Sequence, residues 1–139
     1  MKTKTLLFTV FMGVTAVLFA QVKIDERLYA KYDKQYLEKI SKENPQLLEK
    51  MNFFVEHAGY IIDMPDKPIE YKDLVRKSDN SKDISIDELK NFNVYLYNCF
   101  PDVERTTYYK IGNTGKLLIL RSTQELNRLY DNYKRIKTN

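Results

Sequence analysis

Three places in this 139-residue chain carry side chains whose types and spacing could do chemistry. The first is Gly112-Asn113-Thr114-Gly115-Lys116, a glycine-rich loop closed by a lysine, the composition of a phosphate cradle. A Walker-type loop needs Gly, four residues, then Gly-Lys followed by Ser or Thr. Five positions before Gly115 stands Lys110, and Leu117 follows Lys116, so both ends of the motif fail. Phosphate binding also needs backbone N–H groups at a helix start, whereas the β-rich run KLLILRS follows here. No phosphate ligand is expected at Gly112–Lys116.

The second is Cys99 with His57, the only cysteine and the only histidine. Zinc sites built from several such ligands cannot be assembled within the chain. No orienting Asn or Asp motif flanks either residue, as a nucleophile–base pair would require. Cys99 lies among aromatics in YLYNCFP, which predicts a buried apolar thiol; an intermolecular bridge or a reactive thiol are the alternatives. One cysteine cannot close an internal disulfide, so stability must come from packing. The third place is the acidic set Asp79, Asp83 and Asp87, where interleaved lysines and the absence of EF-hand spacing predict a solvated loop rather than a calcium site. A carboxylate pair for glycoside hydrolysis leaves no local signature, but a chain with only four glycines has little loop for a cleft. No catalytic, cofactor-binding or metal-ligating residue is assigned, and the expectation is a protein that is not an enzyme.

The elements that must position any site are more legible. Asp25 can cap a first helix over Glu26 to Lys42, with Leu28, Tyr32, Tyr36 and Ile40 at four-residue spacing. Asn44 as cap and Pro45 at the first helical position start a second, whose apolar face is Leu47, Leu48, Met51, Phe54 and Val55, ending before Gly59. The run YIIDM suits a short strand stopped by Pro65 and Pro68. Asp66 to Asp83 is polar and reads as exposed loop. Ser85 and Glu88 fit a capping box for a brief helix near Ile86 to Lys90.

NFNVYLYNCF alternates, with Phe92, Val94 and Leu96 on one side and Tyr95 and Tyr97 on the other, which predicts a strand. Residues 105–121 form a hairpin around Gly112-Asn113-Thr114-Gly115. LLIL is apolar on both faces, so that strand should be central. Ser122 and Glu125 form a second capping box, opening a helix with Leu126, Leu129, Tyr130 and Tyr133 on one face and Lys134, Arg135 and Lys137 at its C-terminal end. The fold expected is α+β: an N-terminal helical hairpin, a small antiparallel sheet of three or four strands with the 105–121 hairpin at its centre, and a C-terminal helix packed on the sheet.

The first twenty residues stand apart. Lys2 and Lys4 precede an apolar run from Leu6 to Phe19 that closes on Ala20, the layout of a secretory signal peptide cut before Gln21. An uncleaved anchor is the alternative, but the run is shorter than the roughly twenty residues a spanning helix needs. No cysteine lies near the cut, so no lipid anchor is expected. The ending LFAQ resembles the leaders of exported Bacteroidota proteins, small and uncharacterised ones included, and this resemblance covers the leader alone. The reading is therefore a signal peptide over 1–20 and one α+β domain over 21–139, periplasmic or secreted, with no stable membrane span after cleavage.

Without Lys2 and Lys4, the 23 basic residues of the chain fall to 21 against 19 acidic ones. That near balance, with the charges interspersed, argues against nucleic acid as a partner. Eleven tyrosines stand out, because tyrosine suits surfaces with one dry and one wet side. The expectation is a non-catalytic protein of the cell envelope acting through contact with another envelope protein, as an accessory to an envelope or secretion assembly. Tyr95, Tyr97, Tyr108 and Tyr109 are the candidate contact residues. The alternative is a small-ligand-binding module with a tyrosine-lined pocket between sheet and helices.

Overall fold

A computed structural model describes residues 22–138; the proposed leader and its cleavage point lie outside the described residues. Among the described residues the fold is α+β, with four α-helices and a four-stranded mixed sheet.

The first helical stretch is broken in two. Residues Glu26–Ala30 make a 3-10 turn capped by Asp25, whose carboxylate accepts from Arg27 N at 2.9 Å. The chain then bends, and α1 runs over Lys34–Glu43. The single helix expected from Glu26 to Lys42 fails at Asp33. Its short carboxylate is worth more accepting from the free N–H groups of Gln35 (2.8 Å) and Tyr36 (3.4 Å) than it would be on a helix surface. With the break in place, both Leu28 and Leu37 are fully buried.

Asn44 and Pro45 start α2, Pro45–His57, as the sequence predicts, with Asn44 Oδ1 accepting from Leu47 N at 3.1 Å. Its buried residues are Leu48, Phe53 and Val55. Phe53 replaces Leu47 on the inner side because α4 (Thr123–Lys137) packs along α2 and sets Tyr130 5.3 Å from the Phe53 ring. Glu49 ties the same two helices, taking Lys134 at 3.0 Å and Lys137 at 2.6 Å.

The sheet has the order β1 (Gly59–Asp63), β4 (Lys116–Leu120), β3 (Thr107–Ile111), β2 (Lys72–Asp73). The first three strands are antiparallel, while β2 joins β3 in parallel. This two-residue strand rises from the polar 66–83 segment because Leu74 beside it is fully buried, its N–H donating to Lys110 O at 2.9 Å. Strand β4 is central, and Leu117 through Leu120 are all buried. Leu118 and Leu120 join the main core with Leu28, Leu37, Leu48 and Val55. The β3–β4 turn is Gly112-Asn113-Thr114-Gly115, with φ of 47° at Gly112 and 69° at Gly115.

Helix α3, Ile86–Lys90, carries both halves of its capping box: Ser85 Oγ accepts from Glu88 N, and Glu88 Oε2 accepts from Ser85 N at 2.7 Å. At α4 only half forms, since Glu125 turns to Arg121 at 3.2 Å. The 92–100 segment is not the expected strand. It makes a 3-10 turn over Val94–Leu96, because the buried Asn93 side chain accepts from Tyr95 N (3.1 Å) and donates to Arg27 O (3.0 Å). Val94 and Tyr97 therefore point inward three residues apart, and Leu96 outward.

Glu88 also receives Arg76 at 2.6 Å, and with the Ser85 N–H this guanidinium holds its carboxyl near pKa 2, against an ordinary 4.5. A depressed folded pKa gives stability that is present above pH 4.5 and lost as pH falls towards 2. An NMR titration of the Glu88 carboxyl should show that low midpoint, and Arg76→Gln should move it back towards the ordinary value. A midpoint unmoved by the substitution would reject the Arg76 attribution.

Candidate functional site

The structure places half-buried Tyr95 at the junction of two surface depressions. Tyr95 and Lys77 line both. One is an open groove of about 680 Å³ that also takes in Tyr97, Leu96, Arg76 and Glu88. The other is a smaller cavity of about 120 Å³ with apolar walls. Phe54 of α2, Ala58 just past its end, Leu126 of α4, and Val94 and Phe100 of the 94–101 segment build those walls.

Tyr95 is held from several sides. The Tyr32 ring meets it edge-on at 6.1 Å, and Lys31 Nζ sits 4.9 Å from its ring centre. Burial, aided by Tyr32, pushes its phenol up to about 12. Lys77 Nζ donates to Tyr95 O at 2.9 Å and lies 5.3 Å from the centre of the Phe100 ring. Both lysines are exposed, and among the described residues neither pairs with a carboxylate. No Asp or Glu lines the small cavity.

Beside it the surface is apolar. Leu96 is 52% exposed, Phe100 67% and Val103 70%. The turn after Phe100 is fixed by Asp102, whose carboxylate accepts from Glu104 N and Arg105 N, each at 2.9 Å. Leu96, Phe100 and Val103 were not among the sequence candidates. For Phe100 and Val103 the signal was present, since apolar residues flanking the Pro101-Asp102 turn have no strand or helix period to carry them inward, whereas Leu96 was read into the apolar side of the expected strand.

The four candidate tyrosines separate. Tyr97 and Tyr109 are 3% and 5% exposed and belong to the core, so neither offers the contact surface expected of it. The reason for Tyr97 is the 3-10 turn, which replaces strand alternation. For Tyr109 it is the inner position on β3, between β4 and β2. Tyr108, on the other side of β3, is half-buried, as is Tyr95.

Cys99 is buried, its S–H reaching Val94 O at 3.6 Å, and burial pushes the thiol from 9.0 up to about 12. His57 lies at the end of α2, its ring 4.2 Å from Phe53, and does not line the cavity that Cys99 adjoins. A thiol so placed reacts only when the chain opens. Ellman's reagent at pH 8 should leave the native protein unmodified and label it fully in denaturant; prompt labelling without denaturant would contradict this burial.

Lys116, which closes the glycine loop, pairs with Asp63 at 2.7 Å, and strand β4 follows it. Asp79 caps Ser81 N, Asp87 pairs with Lys90, and among the described residues no three His, Cys, Asp or Glu side chains group as a metal site. Among those residues no helix is long and apolar enough to cross a membrane. No protein-family model, curated protein or solved structure matches the chain.

Proposed function

We propose that this protein is an exported, non-catalytic component of the cell envelope that works by contact with another envelope protein, as an accessory to a larger assembly. The observation that carries the reading is the exposure of three large apolar residues, Leu96, Phe100 and Val103, in the one segment that also holds Tyr95. Exposed apolar side chains set among polar groups are costly in water, and where they gather they mark interaction sites. Aromatic anchors in such a setting are what protein interfaces enrich. The export half of the reading rests on the leader-like sequence of residues 1–20.

Two further observations support contact over catalysis. The buried Cys99 thiol is held protonated, and Lys116 is tied to a carboxylate. The apolar cavity, at about 120 Å³, falls well below the roughly 300–1,000 Å³ of pockets that enclose a small-molecule ligand. The adjoining groove of about 680 Å³ is open and carries Arg76, Lys77, Asp87 and Glu88 rather than apolar walls alone. Affinity isolation of the tagged protein from its native envelope should recover a partner at fixed stoichiometry. That partner should be lost with Phe100→Ser and Val103→Ser, while the thermal unfolding midpoint stays unchanged. Recovery as a lone monomer would sink the reading.

A further inference from the structure

The small cavity has a definite chemistry. Its volume of about 120 Å³ is close to that of an engineered apolar cavity of about 150 Å³ that binds benzene, so it holds one phenyl or leucyl group. Its walls are apolar and its buried members, Ala58, Val94, Cys99 and Leu126, leave no charged side chain inside. On the solvent side the lining is cationic: Lys31 and Lys77, and no carboxylate.

Those two lysines are placed rather than loose. Lys77 is fixed by its bond to Tyr95 O and by the Phe100 ring, and Lys31 by the Tyr32 and Tyr95 rings. An ammonium within about 6 Å of an aromatic ring centre is drawn to the ring face, which holds it in place. Among the described residues neither lysine forms an ion pair, and the two carboxylates of the adjoining groove are taken by other bases, Glu88 by Arg76 and Asp87 by Lys90. An apolar socket flanked by two unpaired cations complements an apolar side chain with carboxylates next to it.

We infer that the Tyr95–Phe100 cavity is the docking socket for an acidic segment of a protein partner, which inserts one aromatic or leucyl side chain between Lys31 and Lys77. This rests on the contact reading above and adds the chemistry of the partner. The inserted side chain displaces water from an apolar pocket, and the neighbouring Asp or Glu residues take the lysines as charge-assisted partners. Phe100 and Tyr95 then cover the inserted group, as rim residues that exclude water do at interfaces. The open groove that shares Tyr95 and Lys77 also holds Asp87 and Glu88, so the acidic residues of the segment stay at the Lys31–Lys77 end and only its uncharged part enters that groove.

The test is selection of a random displayed peptide library on the immobilised protein, with the Lys31→Glu and Lys77→Glu double variant as the counter-target. Both lysines are exposed, so the variant should keep the wild-type circular dichroism and stay folded, with the midpoint lowered only by the lost Lys77–Tyr95 bond and ring contacts. Enriched peptides should share an aromatic or leucyl residue next to Asp or Glu. Their affinity should fall on the order of tenfold or more with charge reversal, and should weaken with added salt. Phe100→Ala should reduce it as well. No enrichment, enrichment of apolar peptides without acid, or binding that survives charge reversal would overturn the inference. Occupation by decanoate with no peptide selected would place a small amphiphile there and overturn it too. These failures leave partner recovery from the envelope untouched, whereas a lone monomer in that isolation would remove the contact reading itself.

Discussion

Replacing Gly112 with valine should lower unfolding stability by on the order of 3 kcal/mol, and by clearly more than the same change at Gly115. Both glycines hold positive φ, 47° and 69°, which any L side chain adopts at a cost of roughly 1–2 kcal/mol, and a β-branched one at more. Only Gly112 adds a collision. A Cβ there would stand 2.7 Å from Lys82 O, a backbone atom that cannot swing aside, whereas nothing lies within 4 Å of a Cβ at Gly115. Urea unfolding of the two variants measures the difference. Equal losses would mean that the Lys82 backbone yields freely and that the 82–84 loop is not packed against the turn.

Leu118→Ala should cost about 3–5 kcal/mol, the range of fully buried leucines whose cavity cannot collapse. Leu118 is on the central strand, has no exposed surface, and pairs with Ile61 of β1 and Tyr109 of β3. Neighbours held by sheet hydrogen bonds on both sides have little freedom to close in. Against a total of about 5–15 kcal/mol for a domain, that loss leaves the variant near its unfolding threshold at growth temperature. Leu47→Ala is the control, because Leu47 is exposed and should cost well under 1 kcal/mol. Chemical denaturation of both variants should separate them. A Leu118→Ala loss as small as that of Leu47→Ala would contradict a core centred on β4.

The elements that were legible beforehand are those whose signals are local. Gly112 and Gly115 announce their turn, Asn44-Pro45 its helix start, and Ser85 with Glu88 its capping box. Where local signals compete, the reading failed. Asp33 suits both an exposed helix position and a cap, and only the need to turn both Leu28 and Leu37 inward decides between them. Residues 92–97 alternate like a strand, yet Asn93 bonds to Arg27 O, a contact across 66 positions that no window of sequence contains.

The site divides in the same way. Tyr95 was legible as a candidate from its type and its neighbours. Lys31 and Lys77 were not, because they meet at one cavity only after the N-terminal turn, the 76–78 loop and the 94–101 segment have folded together. Tyr97 and Tyr109 shared Tyr95's composition signal but were drawn into the core by backbone geometry.

The most direct measurement places a benzophenone-bearing amino acid at position 100 or, separately, at position 136. Phe100 flanks the socket; Ile136, on α4, is 80% exposed and lines neither depression. Illumination in the native envelope should yield one defined cross-linked species from position 100 and none from position 136. Absence of a product at position 100, or the same product from both positions, would contradict a contact surface centred on Tyr95 and Phe100.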